Sequence, residues 1–171
     1  MKKYIGLVLV ALSGCILTVN AQQSFSYKNP LLPTEVRVNG LLDQMTLEEK
    51  IAQIRHLHSW DVFDGQVLNQ EKLDKMCGGI GYGFFEGFPL TAASCRKTFR
   101  EIQTYMVEKT RLGIPGFPVA ESLHGVVHEG TTIYPQNIAM GSTFNPELAY
   151  EKTKHIAGEL NTMGVKQVLA P

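Results

Sequence analysis

The chain has 171 residues, 44% of them hydrophobic and 19% charged, the balance of an ordinary globular protein rather than of a disordered or fibrous one. Sixteen basic residues offset sixteen acidic ones, so no global field draws the chain to nucleic acid or to an anionic membrane surface. A neutral or small ligand fits better.

The N-terminus reads as a processing segment over residues 1–21. Lys2 and Lys3 give a basic start, Tyr4 to Val19 are mostly apolar, and Val19-Asn20-Ala21 offers small residues for cleavage, so the mature chain is expected to begin at Gln22. Leu12-Ser13-Gly14-Cys15 offers a second reading, a lipoprotein signal with a lipid anchor at Cys15. The apolar run continuing through Ile16 and Leu17 favours simple secretion. Either reading predicts an exported protein, periplasmic or extracellular. The run falls short of the roughly 20 apolar residues of a membrane span, and no later segment replaces it. Beyond it, Cys77 and Cys95 are too few for a disulfide scaffold; structural thiols are the default, and one bridge between them is the alternative.

Residues 22–33 form a polar lead. "TEVRVNGLLDQMTLEEKIAQI", residues 34–54, predicts two helical pieces separated near Met45, the second opened by a capping box of Thr46 and Glu49 and carrying Leu47, Ile51 and Ile54 at helical spacing. From His56 to Gly65 the pattern breaks, which predicts a loop. "GIGYGFF", Gly79 to Phe85, alternates small and bulky residues and suits a strand where glycine lets another element approach closely. Thr91 to Leu112 predicts a long helix with Phe99, Ile102 and Met106 inward, stopped by "GIP" at 113–115. "FPVA" follows as a second strand ending at Glu121.

Asn145 is placed to cap a further helix, with Pro146 in its first turn and Glu147 complementing the helix dipole. Ile156, Leu160 and Met163 mark its buried stripe, and Gly164 ends it. "VKQVLA", residues 165–170, is a third strand. Strand, helix, strand, helix, strand predicts an α/β fold with parallel strands and right-handed crossovers. A parallel sheet needs both faces covered, and the last strand has no helix behind it. The expectation is therefore a truncated chain, poorly stable by itself.

Chemistry concentrates in "VAESLHGVVHEGTTIYPQ", residues 119–136. Histidines at i and i+4 hold zinc when a helix presents them on one face, usually with a glutamate base between them. Between His124 and His128 stand Gly125, Val126 and Val127, a poor helix without that glutamate. No metal is expected there, even with Glu129 adjacent, and no cofactor motif is present. In "HLHSWD", residues 56–61, the histidines read as a solvated or locally bonded loop. Trp60 could stack on a sugar or nucleobase, but packing is the favoured reading for a large aromatic.

Glu121 differs by position. It follows an apolar strand at its C-terminal end, where parallel α/β sheets place their ligand-binding loops. A carboxylate there can accept hydrogen bonds from two vicinal hydroxyls of a polyol. The competing reading is a surface glutamate that starts a loop, and spacing alone does not decide between them.

Four segments tip the balance: "LLDQMTLEEKIAQ", "TRLGIPGFPVAESLHG", "GTTIYPQNIAMGSTFNPEL" and "GVKQVLAP". In this order, from about Pro33 to Pro171, the chain resembles the N-terminal domain of glycoside hydrolase family 3, the β-glucosidases and related exo-acting enzymes. The resemblance implies that residues 34–171 are the N-terminal fragment of a (β/α)8 TIM barrel, about its first three strands, with a second α/β domain to follow. It implies a substrate-binding role for Glu121, on hydroxyls of the non-reducing terminal sugar, with His124 and Gly125 shaping the turn behind it and Tyr134-Pro135-Gln136 as framework.

The resemblance also implies retaining hydrolysis, which needs two carboxyl groups about 5 to 5.5 Å apart. The family's nucleophile and acid/base lie beyond Pro171, so no catalytic residue is expected in this chain; nothing in the sequence fixes Glu121 and Glu129 at such a distance. The expected substrate is a β-glucoside or short oligosaccharide, with a β-xyloside second and a non-catalytic carbohydrate-binding protein third. Many relatives carry aspartate where Glu121 stands, which leaves the preferred sugar open.

Overall fold

The structure, a computed structural model, describes residues 26–87 and 91–170. The processing segment and Cys15 lie outside the described residues. The chain divides into two units, residues 1–50 and 51–171.

In the first unit a single 3-10 turn, Ser26–Lys28, precedes helix α1, Thr34–Leu42, and the Arg37 Nε donates to the Tyr27 carbonyl at 2.8 Å. Helix α2, Leu47–Gln53, begins here and runs across the division. Its start is the predicted capping box: the Thr46 amide donates to Glu49 Oε2 at 2.9 Å and the Glu49 amide to Thr46 Oγ1 at 3.3 Å.

The second unit holds a four-stranded sheet built from β1, His56–His58; β4, Phe84–Glu86; β5, Phe117–Glu121; and β6, Gln167–Leu169. Between β1 and β4 lie the short helix α3, Ser59–Val62, a two-stranded ribbon of β2, Phe63–Asp64, and β3, Val67–Leu68, and helix α4, Gln70–Cys77. Helix α5, Ala92–Lys109, links β4 to β5. Helices α6, Asn137–Gly141, and α7, Pro146–Met163, link β5 to β6. All three pairings in the main sheet are parallel, and the strands stand in chain order, β1-β4-β5-β6, without a reversal.

Two expectations are corrected. The segment from His56 is no loop: its first three residues are an edge strand, paired His56 with Phe84, Leu57 with Phe85 and His58 with Glu86. In "GIGYGFF" only the last two residues are in a strand, because Gly79 and Gly81 take left-handed φ values of 78° and 83° and form a turn. The close approach read from its glycines is real at Gly83. A Cβ there would lie 1.9 Å from the Gln53 carbonyl oxygen, and the Gly83 amide donates to the Ala52 carbonyl at 3.1 Å.

The alternation of the strands sorts their side chains. Leu57 and Phe85 are fully buried, and Phe85 meets Phe99 of α5 edge to face at 5.6 Å between centroids. From α5 come Cys95, Phe99, Ile102 and Met106, and from α7 Ile156, Leu160 and Met163, into the same core. On the opposite pleat His56, Phe84 and Phe117 stand in register as a row of stacked rings, 5.0 and 5.9 Å apart. The helix ends follow the sequence: Thr91 caps α5, Asn145 accepts from the Leu148 amide at 3.0 Å to cap α7, and Gly164 closes α7 at φ 94°.

Cys77 and Cys95 are both buried and both free, so the alternative of one bridge between them is set aside. Burial pushes the Cys77 thiol up to about 12, helped by the Asp74 charge, and the Cys95 thiol up to about 11. Neither is a nucleophile at neutral pH. Among the described residues, no helix is long and apolar enough to cross a membrane.

Candidate functional site

Each strand of the main sheet ends in a residue that lines the same cleft: His58 from β1, Glu86 from β4, Glu121 from β5 and Leu169 from β6. The cleft encloses about 400 Å³. This is where a parallel sheet offers its ligand site, since the loops leaving the strand ends converge there. Glu121 is exposed and stands in register with Leu169. Its carboxylate has no hydrogen bond or ion pair with another described residue, so its acceptor positions are open to a ligand.

The loop that follows is fixed from both sides. His124 Nδ1 lies 3.0 Å from the Tyr134 carbonyl oxygen, and the Tyr134 amide donates to the His124 carbonyl at 2.8 Å. Gly125 takes φ 110°, and a Cβ there would lie 2.3 Å from the Thr132 carbonyl oxygen. The turn can therefore pass under the opposite strand of the loop only as glycine. Glu159 of α7 accepts from the Thr132 amide at 3.2 Å and from its hydroxyl at 2.6 Å. Lys152, buried on the same helix, donates to the Pro135 carbonyl at 3.2 Å and to Asn137 Oδ1 at 2.5 Å. At the other end the Ala92 amide, at the start of α5, donates to the Glu129 carbonyl at 2.8 Å. Tyr134, Pro135 and Gln136 thus belong to a framework that α7 holds.

At His124 and His128 the geometry differs from that of a zinc-binding helix. The residues between them are not helical, and the Nδ1 of His124 is engaged with a carbonyl, so the two rings do not share a helical face. His128 instead lines the cleft, and burial lowers its pKa from 6.5, which keeps the ring neutral at pH 7.

Spacing did not reveal the other half of the cleft. Glu86 sits between two imidazoles, His56 Nδ1 at 3.0 Å from one carboxylate oxygen and His58 Nδ1 at 3.2 Å from the other. Neither contact has hydrogen-bond alignment, so the attraction is electrostatic and grows when a ring is protonated. Trp60 stacks on His58, 4.3 Å between centroids and 8° from parallel. It is 69% exposed, so the packing role expected of it is overturned: α3 carries it outward over the strand ends. The Ser59 hydroxyl donates to the Gly87 carbonyl and ties the end of β1 to the end of β4.

The sequence profile of the glycosyl hydrolase family 3 N-terminal domain matches residues 46–171. The chain belongs to glycoside hydrolase family 3. It is 30% identical over 154 residues to a candidate β-xylosidase of Formosa agariphila, covering 87% of this chain and 20% of that protein. It is 26% identical over 171 residues to a periplasmic β-glucosidase of Salmonella typhimurium, covering 99% of this chain and 20% of that one. A solved β-glucosidase from Erythrobacter marinus superposes with a TM-score of 0.70 at 26% identity, over 86% of this chain and 20% of its own. The family 3 chain thus spans about a fifth of the length of these relatives.

Proposed function

We propose that this family 3 domain is the sugar-gripping part of an exo-acting β-glycosidase and that Glu121 binds hydroxyls of the terminal non-reducing sugar. The observation that carries the reading is the position of Glu121: the last residue of β5, lining the cleft, with no partner for its carboxylate among the described residues. An unpaired carboxylate beside a loop fixed at several points is preorganised to accept two hydrogen bonds, and charged hydrogen bonds to hydroxyls are the strong ones. Where those bonds tighten as the ring distorts, they contribute to turnover as well as to affinity.

The main sheet is read as part of a (β/α)8 wall spanning residues 34–171. Its strands follow the chain without the reversal that marks a doubly wound sheet. The catalytic step in the whole enzyme is retaining hydrolysis, in which one carboxylate attacks the anomeric carbon while an acid protonates the leaving oxygen. Glu121 acts on that step by holding the ring. The nucleophile and the acid/base are assigned to other parts of the protein. Export is supported by the signal-like residues 1–21 and by the periplasmic relative from Salmonella.

Two sugars compete for the site. The β-glucosidase relatives favour a glucoside. A β-xyloside is favoured by the candidate β-xylosidase at 30% identity and by a second β-xylosidase of Formosa agariphila, 38% identical over 66 residues. Assays of the full-length protein on aryl β-glucoside and aryl β-xyloside separate them. Glu121→Gln is expected to weaken sugar binding by roughly 1.5 to 3 kcal/mol through loss of charged hydrogen bonds, with little change in thermal midpoint. An early-unfolding variant with unaltered kinetics per folded molecule would make Glu121 structural. Sugar binding without release of the aryl group would favour a non-catalytic carbohydrate-binding protein.

A further inference from the structure

We propose that Trp60 and Glu86, placed by β1 and β4, form the second half of the saccharide site that Glu121 begins. The inference rests on the reading of Glu121 as a sugar-binding residue and adds the groups that would define the ring's other contacts.

The sheet register sets the arrangement. Phe84 pairs with Phe117 and Phe85 with Pro118, so Glu86 lies level with Val119, and Glu121 stands two residues further toward the strand ends. At about 3.3 Å per residue the step is roughly 6 to 7 Å. By strand alternation Glu86 and Glu121 belong to the same pleat, so the carboxylate of Glu86 lies one row beneath that of Glu121. His58 pairs with Glu86, and Trp60 follows His58 by two residues. Trp60 stands in the first turn of α3 with its ring stacked on His58, so it flanks the end of β1, a strand two places from the one that carries Glu121, roughly 10 Å across the sheet. The cleft has Trp60 on one side, Glu121 on the other and Glu86 on the floor between them.

These groups have the chemistry of a pyranose site. A sugar ring presents an apolar C–H face and a rim of hydroxyls. An exposed indole offers a flat apolar surface for the first, and a carboxylate accepts from the second. His58 stacks on Trp60 and at the same time contacts Glu86, so one imidazole holds both groups in place. With His56 it brackets the carboxylate of Glu86 on the floor of the cleft. A residue exposed merely as surface would not need such support.

The test uses the full-length protein. Affinity for glucose and for xylose is measured by calorimetry, with hydrolysis of the matching aryl β-glycosides alongside, for the wild type, Glu121→Gln, Trp60→Ala, Trp60→Phe and Glu86→Gln. The expected result is about a five- to tenfold loss of affinity in both Trp60→Ala and Glu86→Gln, with KM raised more than kcat is lowered, an unchanged thermal midpoint, and most of the affinity retained in Trp60→Phe. Wild-type affinity in Trp60→Ala and Glu86→Gln, with Glu121→Gln impaired, would overturn this inference and leave the reading of Glu121 standing. A lowered thermal midpoint with unchanged affinity per folded molecule would also overturn it, by showing that Trp60 and Glu86 serve packing. Absence of any sugar binding by the wild type would instead remove the reading of Glu121 itself.

Discussion

His124 and Tyr134 hold each other across the loop that leaves β5: the imidazole Nδ1 lies 3.0 Å from the Tyr134 carbonyl, and the Tyr134 amide returns a 2.8 Å bond to the His124 carbonyl. Gly125, next in sequence, makes that closure possible. Gly125→Ala places a methyl group 2.3 Å from the Thr132 carbonyl oxygen at a φ of 110°. We expect a loss of more than about 2 kcal/mol of stability. Gly158→Ala on α7, where a Cβ meets nothing within 4 Å, is the control and should be neutral or gain up to about 1 kcal/mol from helix propensity. Thermal midpoints of the two full-length variants check the contrast.

Ser122 follows the sugar-binding candidate directly, yet its hydroxyl is buried without a hydrogen-bond partner among the described residues. A buried donor that has lost water and gained no partner is a net cost. Ser122→Ala is therefore expected to leave the midpoint unchanged or raise it, with sugar affinity intact. A drop of several degrees would show that the hydroxyl has a partner, such as an ordered water.

The free thiols predict a chemical signature. With Cys77 raised to about 12 and Cys95 to about 11 by burial, almost no thiolate exists at pH 8. Both should resist a disulfide reagent in the native protein and react together on unfolding. Rapid modification of either in the folded state would contradict the packing of α4 and α5.

His128 predicts a pH dependence whose sign is fixed by burial. The folded pKa lies below 6.5 because the buried ring resists charge, while the unfolded ring keeps its ordinary value. Above 6.5 both states are neutral and the group contributes no slope. As the pH falls below 6.5 the unfolded state binds the proton first, and stability declines until the pH passes the folded pKa. His128→Asn should flatten that decline in thermal midpoints taken between about pH 7 and about pH 5. An unchanged slope would assign the acid sensitivity to other groups.

How much was legible in the sequence depended on the range of each interaction. The capping box of Thr46 and Glu49, the Asn145 cap and the inward stripe of Phe99, Ile102 and Met106 are set within four residues, and the structure has all of them. The end of β5 at Glu121 was equally readable from an apolar run followed by a carboxylate. The strand at His56–His58 was hidden because it is three residues long and two of those are polar. Its identity depends on Phe84, Phe85 and Glu86, 28 residues later. The same distance concealed the cleft's other half. Histidines near a tryptophan look like a loop until the sheet sets a carboxylate between their rings. That His124 and His128 do not share a helix was readable from Gly125, whose φ of 110° lies outside helical backbone.

The order β1-β4-β5-β6 has a temporal meaning as well as a spatial one. A chain leaving the ribosome presents each of these strands after its only upstream neighbour in the sheet already exists. Assembly can then advance by addition at one growing margin, each new strand pairing with one already made. Export in an unfolded state would discard that advantage and make refolding at the destination repeat the same sequence of additions.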